Sequence, residues 1–544
     1  MTVDLSRRSF LRYGAGAVAG SMVSNPAEPR PKVGAQHAAP LHTGQAFELE
    51  ETTVAQLQDS MRTGARTSRS ICAAYLARIA ELDPKLHAVL ETNPDALTAA
   101  DRLDAERKAG HVRGPLHGIP VLVKDNIATV DRMMTTAGSL ALVGVPAPRD
   151  AALVARLRAA GAVIIGKTNL SEWANIRSSH SISGWSGRGG QCRNPYALDR
   201  NPCGSSSGTG AAIAASFAAV GVGTETDGSI VCPSGANSLV GLKPTVGLVS
   251  RSGVIPIAHS QDTAGPMCRT VTDATILLGA LAGADPTDPA TATAPSAVPD
   301  YTKALDPNGL KGARIGVVRA AFGSPEGDRL VNAALDVLKA QGAVLVDPVE
   351  IPHMRDYGDQ EFTVLLYELK ADLNAYLAGL GAASRVKTLA DVIAFNDAHK
   401  DTEMPYFGQE SFIQAQEKGP LTDDAYVEAL AHCRRLSRAE GADVAFAKDK
   451  LDALVAPTGG PAWLIDLVNG DCFTGGGNSS IAAVAGYPTI TVPVGYSFGL
   501  PVGMSFIGRP WTEATLIKLA YAYEQAARPR RAPRFLPTAD LAHR

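Results

Sequence analysis

No histidine lies between His180 and His259, so the part of the chain richest in hydroxyls has no imidazole base of its own. Charge is sparse too. Charged side chains make up 19% of the 544 residues against 45% hydrophobic ones, which allows a large buried core. The formal net charge is only −3, and no basic stripe with interleaved aromatics occurs. That removes the electrostatic case for nucleic acid, a tRNA partner included. Beyond the first residues no run of about 18 apolar residues appears, so no transmembrane helix is expected in the mature chain. The 7 cysteines are an odd number, leaving at least one unpaired within the chain and the pairing open. Neither C-x-x-C nor H-E-x-x-H occurs, so no metal is expected, and no other cofactor.

What is present is concentrated between Asn201 and Val246. Two clusters of Gly, Ser and Thr, Gly204–Gly210 and Gly223–Ser229, flank the apolar segment Ala211–Val222, which has room for a helix and a short buried strand. A disordered Gly/Ser linker would lack that apolar run and its continuation through Ile230, Val231 and Leu239–Leu242. The small residues therefore belong inside the fold, where they let backbone approach closely. Hydroxyls flanked by glycine supply a nucleophile and free N–H groups for an oxyanion. A serine needs a base, and Gly118-Ile-Pro-Val-Leu-Val-Lys124 ends an apolar run on a lysine, where burial lowers the pKa towards a neutral amine.

Four pieces, GIPVLVKDNI (118–127), PCGSSSG (202–208), GTETDGSI (223–230) and GLKPTVGLVSR (241–251), together resemble the amidase signature family, whose hallmark is a Ser-Ser-Lys triad. The likeness continues through KTNLSEWAN (167–175), ISGWSGRGGQCRNPY (182–196), SQDTAGPM (260–267) and LDALVAPT (451–458), and is strongest to the family's peptide amidases. The resemblance implies Ser229 as nucleophile, Ser205 as bridging serine and Lys124 as base. It also implies an oxyanion hole from the backbone N–H groups of Thr226, Asp227, Gly228 and Ser229. The family often has Gly-Gly before each serine, whereas here Cys203-Gly204 and Asp227-Gly228 stand there. A carboxylate at Asp227 must point away from the oxyanion or be neutralised. Ser206 and Trp463 are further candidates for the substrate pocket.

The implied fold is α/β, a single large domain with a central mixed β-sheet covered by helices on both faces. Its catalytic domain is expected over 47–540, with the signature core at about 110–285 and a helical insertion at about 361–450 over one mouth of the site. Patterning agrees. Thr52/Thr53 and Thr67/Ser68 are N-cap candidates, and Ile71, Tyr75, Ile79 and Leu82 form a stripe that Asp83-Pro84 should end. Strands are expected at Val121–Val123, Val163–Ile165, Arg314–Val318, Val344–Val346, Leu454–Ala456, Thr489–Val492 and Val502–Phe506, and Asp285–Pro299 reads as a surface linker. Residues 1–46 read as a twin-arginine export signal, Ser6-Arg7-Arg8-Ser9-Phe10-Leu11-Arg12, and a flexible spacer, which places the protein in the periplasm or outside the cell.

Rival readings are weaker. Gly204-Ser205-Ser206-Ser207-Gly208 matches the nucleophile elbow G-x-S-x-G, but a loop precedes it where a strand is required. Ser384-Arg-Val-Lys387 matches S-x-x-K without its companion motifs. His117 and His259 beside Gly-Pro or Pro-containing turns read as hydrogen-bonded structural residues. The expected activity is hydrolysis of carboxylic amides through an acyl-enzyme by a monomer, on a small-molecule or peptide amide, with C-terminal deamidation of peptides first. Aryl or fatty acyl amides are the alternative, and the role of an A-type amidotransferase component is a further one.

Overall fold

The apolar runs become buried strands. A computed structural model describes residues 47–542 apart from Ser296 and Thr474; the expected export signal and spacer, 1–46, lies outside the described residues. The strands are β1 (Val89–Thr92), β2 (Pro120–Lys124), β3 (Val163–Thr168), β4 (Trp185–Ser186), β5 (Gly190–Gln191), β6 (Val220–Glu225), β7 (Val240–Lys243), β8 (Thr263–Cys268), β9 (Arg314–Val317), β10 (Val344–Val346), β11 (Ala453–Pro457), β12 (Thr489–Ser497) and β13 (Leu500–Ile507). Eleven of them form one sheet in the order β1-β3-β2-β6-β8-β7-β12-β13-β11-β9-β10. It is mixed: β2 runs parallel to β3 and β6, while β8 is antiparallel to both β6 and β7. Helices flank it, as in the expected α/β architecture. β2, β3 and β6 are buried along their whole length, which explains why they read as continuous apolar runs rather than alternating ones.

Topology brings the signature pieces together. Because β2 and β6 are neighbours, with Val123 opposite Val222, Lys124 reaches the same sheet edge as Thr224. Helix Ser207–Ala214 grows out of the first hydroxyl cluster and is wholly buried. A Cβ on Gly223 would lie 2.6 Å from Met267 Sδ and 2.8 Å from Ser206 Oγ, which accounts for the glycine there. Between 358 and 434 the chain is mostly helical, with helices Gly358–Gly379, Leu389–Ala398, Glu410–Gln416 and Asp424–Arg434.

Three expectations need correction. Thr53 and Thr67 do cap their helices with capping boxes, but the second helix passes Pro84 and ends at Leu86, with His87 left-handed. Proline in the last turn removes a single donor, and the real stop is the Asp83 carboxylate, which accepts the Ala88 N–H at 2.7 Å. Of the strands in the large sheet, β1, β7 and β8 were not foreseen. Asp285–Pro299 is not merely a surface linker, since buried Asp288 within it accepts from Arg251 Nε at 2.9 Å.

Candidate active site

The end of β2 supplies a fully buried lysine, Lys124. Its Nζ lies 2.8 Å from Ser205 Oγ, 2.9 Å from Thr224 Oγ1 and 3.4 Å from the Thr224 carbonyl. Burial lowers its pKa to about 7, against the pull of Asp262 and Glu225. A large fraction of the amine is therefore neutral near neutrality and able to accept the Ser205 proton. Asn126 Nδ2 donates to the same Thr224 hydroxyl at 3.0 Å, which fixes that hydroxyl beside the lysine.

Ser205 follows Gly204 through a cis peptide bond, and its carbonyl accepts the Ser171 N–H at 3.1 Å. The next residue joins the two clusters, as Ser206 N–H donates to the Ser229 carbonyl at 3.2 Å. Ser229 thus sits on the turn beside Ser205, 8% exposed where Ser205 is closed off. Among the described residues, the N–H groups of Thr226, Asp227, Gly228 and Ser229 donate to no protein acceptor. The next two, Ile230 and Val231, are both taken by Glu225 Oε2, at 2.7 and 3.0 Å. Gly228 has φ +81°, a conformation open to glycine that lets the turn present this row of donors. Unpaired N–H groups over a serine are what a developing oxyanion requires.

The turn is held from outside. Asp262 accepts the Thr226 hydroxyl at 2.5 Å and the Ile257 and Ala258 N–H groups at 2.8 and 2.9 Å. The Asp227 carboxyl accepts from Ser480 Oγ at 2.6 Å, which tethers it; burial pushes its pKa up. Cys203 and Cys232 form a disulfide with Cα atoms 6.0 Å apart, settling the pairing left open and stapling the loop before Ser205 to the helix after Ser229. Cys72, Cys192, Cys268, Cys433 and Cys472 are free. Trp463 packs against the disulfide pair and lies against Phe473 with ring centroids 4.4 Å apart and the planes tilted by 51°, its Nε1 donating to Asp471 at 3.2 Å.

Ser206 is the candidate that the geometry removes from the pocket. It is fully buried, and its hydroxyl donates to the Thr224 carbonyl at 3.0 Å while accepting the Thr224 N–H at 3.2 Å. The elbow reading loses its nucleophile by the same bonds. His117 is buried with its Nε2 2.9 Å from the Leu103 carbonyl. His259 is clamped between Asp372, 2.9 Å from Nδ1, and Glu368, 3.3 Å from Nε2. Because those carboxylates face opposite ring nitrogens, this trio suits an imidazolium better than a metal ion. Sequence reasoning missed Gln261, Glu361 and Ser480, which brace the turn from 30 or more residues away; Gln261 lies in the stretch SQDTAGPM, which by itself gives it no role.

A buried lysine with its pKa lowered to about 7 and bonded to one serine, next to a second serine on a turn with free N–H groups, is an arrangement suited to acyl transfer without a histidine. The chain belongs to the amidase family: the family profile described as Amidase matches residues 70–517. It is 42% identical over 511 residues to a probable amidase of Arabidopsis thaliana, covering 92% of this chain and 94% of that one. It is 36% identical to the A-subunit of the glutamyl-tRNA(Gln) amidotransferase of Halorhodospira halophila, covering 88% and 97%. The crystal structure of native peptide amidase from Stenotrophomonas maltophilia superposes with a TM-score of 0.86 at 53% identity, over 90% of this chain and 99% of that one. The protein is an amide-hydrolysing enzyme, and none of its described helices is long and apolar enough to cross a membrane.

Proposed function

We propose that the enzyme hydrolyses carboxylic amides through an acyl-enzyme on Ser229, with Lys124 as base acting through Ser205, and that its substrates are peptides bearing a C-terminal amide. The 2.8 Å contact between Lys124 Nζ and Ser205 Oγ carries the mechanism. Lys124 takes the Ser205 proton as Ser205 takes that of Ser229. Ser229 Oγ attacks the amide carbon, and the oxygen gathers charge under the N–H groups of residues 226–229. The proton returns through Ser205 to the leaving nitrogen, ammonia departs, and water repeats the sequence on the ester. The peptide substrate rests on the likeness to the Stenotrophomonas enzyme and on the aromatic pair Trp463–Phe473, a surface suited to the side chain preceding the amide.

Ammonia release from a panel of peptide amides, aryl amides, fatty acyl amides and glutamine tests this reading, with fluorophosphonate labelling of Ser229 as its companion. Preference for glutamine would favour the amidotransferase-like alternative, which the 36% identity to the Halorhodospira protein keeps in play. We further propose export through Arg7 and Arg8. Arg7→Lys with Arg8→Lys should leave active enzyme in the cytoplasm, and full export of the double variant would refute the signal.

A further inference from the structure

Asp227 Oδ1, buried on the turn that ends in Ser229, makes no well-formed hydrogen bond among the described residues, although the Ser479 hydroxyl also bears on this carboxyl. The other oxygen of that carboxyl is held by Ser480, so a rotation cannot rescue it. A second carboxyl, that of Glu361 in the first turn of helix Gly358–Gly379, lies within hydrogen-bonding reach of Asp227. Two carboxylates cannot bond to each other, but a carboxyl and a carboxylate can. Glu361 Oε1 is already an acceptor, taking Gln261 Nε2 at 3.0 Å, which leaves Oε2 for the proton.

Resting on the amidase reading above, we infer that Asp227 and Glu361 share one proton, and that this proton makes Glu361 a positioning residue for the oxyanion turn. Gln261 shows the route. Its Nε2 also donates to the Thr226 carbonyl at 3.3 Å, and that carbonyl belongs to the peptide unit whose N–H is the free donor of Asp227. Glu361 therefore orients Gln261, and Gln261 orients a peptide that faces the developing oxyanion. Loss of the shared proton to solvent leaves two negative charges next to the place where a third must form.

The surroundings set when that happens. Burial, then the Asp227 charge, push Glu361 up to about 8, although its place at a helix N-terminus favours the anion. The other titratable groups facing the pair are Glu225 and Lys243 from the sheet, Tyr357 before the helix and Cys433 from helix Asp424–Arg434. Cys433 is pushed up to about 12 and Tyr357 higher still, so neither changes charge near neutrality. Lys243, lowered to about 8, is the competitor in this window.

The variant Glu361→Gln separates them, because its amide can accept from Gln261 and donate to Asp227 at every pH. For ammonia release from one peptide amide, wild-type kcat/KM should climb with pH as Lys124 loses its proton, then fall roughly tenfold per pH unit once the pair ionises. E361Q should keep the climb and lose the fall. A fall that survives in E361Q belongs to Lys243 and overturns the inference, as does a wild-type profile with no fall. Should E361Q not fold, infrared spectroscopy of the wild-type enzyme decides: the carbonyl absorption of protonated carboxylic acids must lose one component as the pH rises past about 8. Its absence at neutral pH overturns the inference. That measurement needs no substrate, so it stands apart from the amidase reading, whose own failure would be an unlabelled Ser229.

Discussion

Lys124 and Lys243 end two strands of one sheet, both fully buried, and burial lowers both, to about 7 and about 8. Their neighbours differ. Lys124 Nζ hydrogen-bonds to two hydroxyls and a carbonyl, with Asp262 and Glu225 acting on it by charge, whereas Lys243 feels the charges of Glu225, Glu513 and Asp227 and donates to the Pro244 carbonyl at 3.3 Å, with no hydroxyl bonded to it among the described residues. A buried amine among hydroxyls can exchange a proton with them; one between carboxylates serves as their counterion. Desolvation alone does not make a base, and the partner decides what the proton can do.

Substitutions can break that contrast at either end. Ser229→Ala should reduce kcat on the order of 10⁴–10⁶-fold with the melting temperature retained, since only the nucleophile's hydroxyl is removed. Lys124→Met should follow at about 10³–10⁴-fold in kcat, and Ser205→Ala should lose less if water relays the proton; pre-steady-state acylation rates would rank the three. Lys243→Met should invert the pattern. Stripping the counterion from Glu225 and Glu513 should cost about 3–5 kcal/mol of stability, read by denaturant unfolding, while kcat in the surviving fold drops far less than in Lys124→Met. A Lys243→Met enzyme that is stable and inactive would show that the two lysines had been assigned the wrong way round.

Smaller effects sharpen the same comparison. Replacing both Cys203 and Cys232 by Ser opens a crosslink that spans 29 residues and should cost roughly 3–4 kcal/mol by loop entropy. A loss of kcat larger than the loss of stability would place the staple in catalysis. The weakest signal is the pH dependence of unfolding. The unfolded lysine holds its proton up to 10.5, the folded Lys124 only up to about 7. Between those values the unfolded state binds the extra proton, so this group makes stability rise with pH, by about 1.4 kcal/mol per unit. The difference in slope between wild type and Lys124→Met measures it. Equal slopes would mean that Lys124 stays charged in the fold.

Much of the site was legible because its chemistry is local: Lys124 ends an apolar run, and Ser205 and Ser229 sit in dense small-residue clusters. β7 and β8 were not, because Val240-Gly-Leu-Lys and Thr263-Ala-Gly-Pro-Met-Cys carry glycine and proline, weak strand formers that the sheet tolerates by burying both faces. The disulfide was hidden by arithmetic, since seven cysteines permit many pairings. Glu361 and Gln261 were hidden by distance. Glu361 is an ordinary polar residue in its own segment, Gln261 lies in a recognised stretch that says nothing of its partner, and only the fold brings them to the turn that carries Asp227.

That distance bears on when the enzyme can first act during its synthesis. The Asp227 carboxyl is held by Ser480, 253 residues further along the chain, and β12 and β13, which link β7 to β11 in the sheet, are made later still. A ribosome that has finished the Lys124, Ser205 and Ser229 segments has made every proposed reacting group, yet the 226–229 turn, even once its Asp262 tether is made, lacks the one from Ser480 until most of the polypeptide has emerged. Chains released early carry the full set of reacting side chains and no working enzyme, so prematurely terminated products should not hydrolyse amides in the cell that makes them.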